Sequence, residues 1–355
     1  MRKIINVLLS LLILVCLSGC FSNNYENGEV QIFLPGEYIS DEVIEQFEFE
    51  YDVKCNITVF ESNESMYTKL LTGASYDIVI PSDYMIERLI KEKRVQKLDK
   101  SKLTCLENLY DGVKNMEFDP NNDYSIPYFW GNTGIVYDST LIDSNDVETQ
   151  GWDVLKNPKY KGMIYMYDSI RDMFMIAEKS LGYSMNTSEP KELEKAFNWL
   201  CEIADTMDPA FAADECIDGL AYGEKAMGFM YSGDAAYILS ENEDMRFYSP
   251  ESQGANYFVD SMLILNNAKN IDNAYKFINY ITDYDAAYEN SSYVGYASVN
   301  KEVLNDITLP DSDFDGNEAY IPRDRNSKDE VFHNDEETLS IISEYWTKVK
   351  YVNGD

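Results

Sequence analysis

The sequence predicts an α/β fold in two lobes, each a mostly parallel sheet flanked by helices, with a cleft at the hinge. Three observations lead there. Strand and helix patterns alternate from Val30 to Ile90, a second such series begins near Ile164, and the chain is long enough for two ample cores. The centre of the first series is Tyr76-Asp77-Ile78-Val79-Ile80-Pro81-Ser82-Asp83-Tyr84. Its β-branched run lacks polar alternation, as in a parallel strand buried on both faces, and Pro81 stops it. Ser82 and Tyr84 then fall beyond the strand's carboxyl end, where open α/β sheets bind ligands. The same position also suits Ser82 or Asp83 as a simple helix cap.

In chain order, residues 1–20 read as a targeting signal: Arg2 and Lys3, an apolar run from Ile4 to Leu17, then Leu17-Ser18-Gly19-Cys20. That ending resembles a bacterial lipobox, which implies cleavage before Cys20 and lipid on its sulfur, a membrane tether rather than a span. Residues 21–28 are polar and aperiodic, a tether. Val30 to Leu34 reads as a strand, Ser40 as a cap for a helix bearing Val43, Ile44 and Phe47, and Cys55 to Phe60 as the second strand. A helix with Met66, Tyr67, Leu70 and Leu71 ends at Gly73, and the strand over 76–80 follows. Ile126-Pro127-Tyr128-Phe129-Trp130 leads into a glycine-punctuated β run ending at Tyr137, the expected crossing between lobes. Beyond it the pattern gives a strand at 164–166, helices near 170–182 and 190–204, and a strand at 226–231. An apolar run at 258–265, a helix at 271–283 and a last helix near 336–350 complete the series.

Composition narrows the function classes. Without Arg2 and Lys3, 27 basic side chains face 63 acidic ones, a formal charge of −36. Nucleic acid is excluded as a partner, since phosphate binding needs clustered Lys and Arg, whereas small cations are attracted. A single histidine, His333, excludes multi-histidine metal sites. No G-x-S-x-G, G-x-G-x-x-G, phosphate loop or C-x-x-C occurs, so no enzyme is indicated. Asp311-Ser312-Asp313-Phe314-Asp315-Gly316 fits half a calcium loop, but its twelfth position is Pro322 instead of the bidentate glutamate. Cys55, Cys105, Cys201 and Cys216 are candidates for disulfides, with Cys201 and Cys216 nearest in sequence.

Four stretches together resemble one family: Phe60 to Tyr67, Tyr76 to Ser82, Phe118 to Tyr128, and Tyr160-Lys161-Gly162. They are similar to the spermidine/putrescine-binding lipoproteins and periplasmic proteins that feed ABC transporters. The resemblance implies a type II periplasmic-binding-protein fold, a polyamine ligand, a permease partner, no cofactor and no catalysis, in a monomer held extracytoplasmically by its lipid. It divides the chain into lobe 1, residues 29–135 plus 260–305, and lobe 2, residues 136–259 plus 306–355. A polyamine carries ammonium groups separated by methylenes, so its receptor needs carboxylates at fixed separations with aromatic faces between them.

Carried over by position, the resemblance implies Glu37 as a carboxylate for one amine and Tyr38 as an aromatic wall. Pro35 and Gly36 stand where the family has tryptophan and threonine. Ser82 and Tyr84 match strand-end contacts. Asp172 replaces a glutamate at an acidic helix start, with Asp168 nearby; both also suit the positive end of a helix. Tyr231 and Phe258 take the place of tryptophans, and Asp234 is an extra acid. Asp260 follows Phe258 and Val259 and precedes Met262-Leu263-Ile264-Leu265, where an unpartnered carboxylate is expensive. Tyr296 matches an aromatic on the hinge side, and His333 a hydrogen-bonding glutamine. Trp130 either lines the cleft or packs at the crossing, whereas Trp152, Trp199 and Trp346 read as core. The alternatives are a receptor for another organic cation, an amino acid or a sugar, and, in another class, a calcium-dependent surface module built on Asp311 to Gly316.

Overall fold

The computed structural model describes residues 25–352; the leader, Cys20 and the first tether residues lie outside them. Ten strands form one sheet along the path β2 (Lys54–Phe60), β1 (Glu29–Pro35), β3 (Ile78–Val79), β9 (Tyr257–Ile264), β4 (Ser125–Asp138), β7 (Met227–Tyr231), β5 (Ile164–Tyr167), β6 (Ala210–Ala212), with β8 (Met245–Tyr248) and β10 (Ala297–Ser298) also paired to β4. β1 (Glu29–Pro35), β2 (Lys54–Phe60) and β3 (Ile78–Val79) run parallel. At the other end β5 (Ile164–Tyr167), β6 (Ala210–Ala212) and β7 (Met227–Tyr231) are also parallel. Both series read from the alternating pattern are therefore present.

The centre of the sheet is antiparallel. β4 (Ser125–Asp138) is a single strand of 14 residues, long enough at about 3.3 Å per residue to serve both halves. Its first part, Ser125 to Asn132, pairs with β9 (Tyr257–Ile264). From Thr133 onward it pairs with β7, and from Ile135 with β8 (Met245–Tyr248). β10 (Ala297–Ser298) joins it at Trp130 and Phe129. β4 is the strand shared by the two parallel units, and β9 runs antiparallel to both it and β3, which the hydrophobic pattern alone does not encode. Of the strand expected over 76–80, Ile78 and Val79 are in register parallel to β1 and antiparallel to β9, and backbone bonds from Asp77 N to Gln31 O and Ile80 N to Phe33 O extend the pairing on either side.

Local signals behave as the side chains dictate. Ser40 accepts from Glu42 N at 3.2 Å to cap helix Asp41–Tyr51, and Ser62 and Ser65 cap helix Asn63–Leu71 reciprocally. Ile78, Val79, Leu263 and Ile264 have no exposed surface at the centre of the sheet; truncating Ile78, Leu263 or Ile264 to alanine costs about 2–5 kcal/mol. Trp152, Trp199 and Trp346 are buried, as expected. Cys55, Cys105, Cys201 and Cys216 are free thiols, so Cys201 and Cys216 are not bridged. Among the described residues no helix is long and apolar enough to cross a membrane.

Candidate functional site

The carboxyl ends of β1, β2, β3, β5 and β7 converge on one cavity of about 300 Å³, whose lining includes Pro35, Phe60, Ser82, Ser169 and Tyr231. This is where the connections after parallel strands must place functional groups. β9 contributes Phe258 and Asp260 from the side. Aromatic walls come from Tyr38, Tyr84, Tyr231, Phe258, Tyr296 and Phe332. Phe258 meets Tyr231 and Tyr296 edge to face, with ring centroids 5.6 and 5.9 Å away, an arrangement that rigid aromatic clusters favour. Gly233 makes room for this wall: a Cβ there would lie 2.1 Å from the Tyr296 ring.

Two carboxylates share one design. Asp260 Oδ2 accepts from Tyr38 Oη, while its Oδ1 is buried without a hydrogen-bond partner. Asp172 Oδ2 accepts from Tyr231 Oη at 2.6 Å and from Ser169 Oγ, and its Oδ1 is likewise unpartnered. One oxygen of each is therefore fixed while the other has no hydrogen-bond donor. Asn256 Oδ1, on the same cavity, is a third acceptor without a donor. Burial raises both aspartates above the usual carboxylate range, against the pull of their hydroxyl donors.

Two more acids stand close by. Burial pushes the Asp83 carboxyl up to about 8 even though it accepts from Tyr84 N at 2.7 Å and Phe332 N at 3.2 Å. Asp234 accepts from Tyr296 Oη at 3.1 Å, and burial pushes it to about 7. At the mouth, the Arg171 guanidinium lies 4.0 Å over the Tyr84 ring and 3.6 Å from Glu64, whose carboxylate also accepts from Tyr84 Oη at 3.2 Å. That joins helix Ile170–Ser180 to helices Asn63–Leu71 and Asp83–Lys91 across the gap. The chemistry on offer is a set of acceptors and ring faces, with the one lining cation, Arg171, engaged by Glu64 and the Tyr84 ring.

Of the residues singled out in the sequence, Tyr38, Ser82, Tyr84, Asp172, Tyr231, Phe258, Asp260 and Tyr296 line this cavity together. Five do not. Glu37 is exposed, turned outward by a left-handed backbone at φ 55°, and accepts from Tyr293 Oη at 3.1 Å. Asp168 faces the last helix, pairing with Lys350 at 3.0 Å and Trp346 Nε1 at 2.8 Å. Trp130 is buried at the crossing, stacked on Tyr110 and bonded to Ser298 O. Asp234 stands behind Tyr296, and His333 lies 3.3 Å from Glu87, outside the lining. Asp83, Asn256, Arg171 and Phe332 line the cavity without having been singled out for it. Asp83 was detectable as an acid at a strand end, but the other three depend on tertiary placement. In the acidic loop, Asp315 accepts from Asp311 N at 3.1 Å, and among the described residues no group of three or more His, Cys, Asp or Glu side chains is placed to hold a metal ion.

A sheet in two halves with such a cavity between strand ends is the architecture of a two-lobe solute-binding protein. The pattern of the bacterial extracellular solute-binding proteins matches residues 42–314, and the chain belongs to that family. It is similar to the spermidine/putrescine-binding periplasmic protein of Escherichia coli (strain K12), at 35% identity with 92% of each chain covered. The putrescine/cadaverine-binding protein of Pseudomonas aeruginosa is 30% identical over 78% of this chain and 80% of its own. Among solved structures, the spermidine/putrescine ABC transporter substrate-binding protein PotD of Streptococcus pneumoniae superposes with a TM-score of 0.80 at 33% identity, covering 92% of this chain and 99% of that one.

Proposed function

We propose that this chain is an extracytoplasmic receptor for polyamines, tethered through a lipid on Cys20, which closes over a putrescine- or spermidine-like cation as a monomer and delivers it to an ABC permease. No bond is made or broken. The observation that carries the reading is the pair of buried carboxylates, Asp172 and Asp260, each with one oxygen anchored by a tyrosine and one without a partner beside the same cavity. An uncompensated buried carboxylate is costly, and an arriving ammonium supplies both the counter-charge and the missing donors. The surrounding rings add about 0.5–2 kcal/mol per cation contact, depending on desolvation. The names of the relatives point to the same ligand class.

The lobes in this reading meet along β4 and β9. Strand pairing supports crossings at Asn132/Thr133 and Asn256/Tyr257, a few residues before those expected at 135 and 259. The third lies between Asp313, which accepts from Ser292 Oγ, and Asn317, which donates to Ala236 O. The contacts of Arg171 with Glu64 and of Asn334 N with Glu87 support a closed arrangement of the lobes. Isothermal titration of the soluble mature chain with putrescine and spermidine tests the reading. Asp260→Asn removes one partner of a buried charge pair, worth about 3 kcal/mol, so affinity should fall on the order of a hundredfold. Unchanged affinity in that variant would overturn the assignment of the site.

A further inference from the structure

Behind the first cavity lies a second, of about 200 Å³. Arg171 and Phe332 line both, so a wall of two side chains divides them. Arg171, Phe174 and Glu178 follow one another at helical spacing on Ile170–Ser180, and all three line the second cavity. Leu339 and Ile342 of the last helix close it with apolar surface.

Glu178 is the anomaly. It is only 2% exposed, and among the described residues its carboxyl makes no hydrogen bond or ion pair. The adjacent Lys179 turns away, to Glu330 at 3.0 Å and Lys328 O at 2.7 Å. Burial and the nearby Glu330 push the Glu178 carboxyl up to about 9. Such a group is stable in its neutral form and becomes a strong counter-ion once a cation arrives. The charge of Arg171 faces the other way, over the Tyr84 ring and toward Glu64. Asp172 and Glu178 are six residues apart on one helix, about 9 Å along its axis, a span that a side chain and one aminoalkyl arm together bridge.

We infer that the second cavity is an annex of the cleft that takes the terminal ammonium of a triamine or longer polyamine, with Glu178 as its counter-charge, after the arm passes Arg171 and Phe332. This rests on the polyamine reading of the cleft. A diamine, filling the cleft between Asp172 and Asp260, never reaches Glu178.

The test is isothermal titration of the mature chain with putrescine and with spermidine, on wild type and on Glu178→Gln. Spermidine affinity should fall about tenfold, as for loss of a charge-assisted hydrogen bond, while putrescine affinity stays the same. A second variant, Leu339→Trp, fills the annex and should likewise weaken spermidine alone. If spermidine is unaffected in both variants, or if both ligands weaken equally, the annex is refuted while the cleft stands. If the wild type binds neither polyamine, the reading of the cleft fails and the annex with it.

Discussion

In the proposed receptor, Asp172 and Asp260 would form a cation site before any cation is present. A tyrosine hydroxyl holds one oxygen of each and leaves the other bare, so the geometry is set in advance and the ligand meets little reorganisation cost. The same burial has a consequence for pH. Asp83 rises from 3.8 to about 8 and Asp234 from 3.8 to about 7, so between those limits the folded chain holds protons that the unfolded chain has released. Stability therefore falls as pH rises from about 4 to about 8. Melting of the ligand-free protein should come at lower temperature at pH 8 than at pH 5, and Asp83→Asn should flatten the difference. A wild-type melting point that is level or rises over this range contradicts the assignment. Polyamine affinity should move in the opposite direction, growing with pH as the carboxylates ionise.

Elements decide which of these side chains meet. Helix Ser232–Glu241 starts directly after β7, and Gly233 in its first turn lets the Tyr296 ring lie against its backbone. Gly233→Ala forces the ring away, an overpacking of about 1–3 kcal/mol; denaturant unfolding should register that loss and titration a weaker ligand. Wild-type values in both would show that the wall tolerates displacement. At this scale the sequence was partly legible. Asp260 stood out because an acid inside an apolar strand demands a reason, and Asp172 because an acid opens its helix. Glu37 and Asp168 carry the same chemistry, yet a left-handed turn after Gly36 sends Glu37 outward and Lys350 captures Asp168. Neither a backbone flip nor a partner 182 residues away leaves a local pattern. The parallel units were legible from alternating strands and helices, whereas the antiparallel run of β4 and β9 rests on long-range pairing.

For the whole molecule, 63 acidic residues against 29 basic ones create a field that gathers small cations and speeds their arrival in a salt-dependent way. The cavity then selects among them. Contacts across the gap, from Arg171 to Glu64, Phe332 N to Asp83 and Asn334 N to Glu87, already join the two sides while one oxygen each of Asp172 and Asp260 stays without a donor. In the polyamine reading, the cleft recognises charge more than shape. The most direct test is a titration of the mature chain with putrescine and, in parallel, with 1,4-butanediol, which has the same carbon chain and no charge. A clear putrescine isotherm is expected and, from the loss of two buried ion pairs, a diol at least about a hundredfold weaker; comparable binding of the two would contradict recognition by charge.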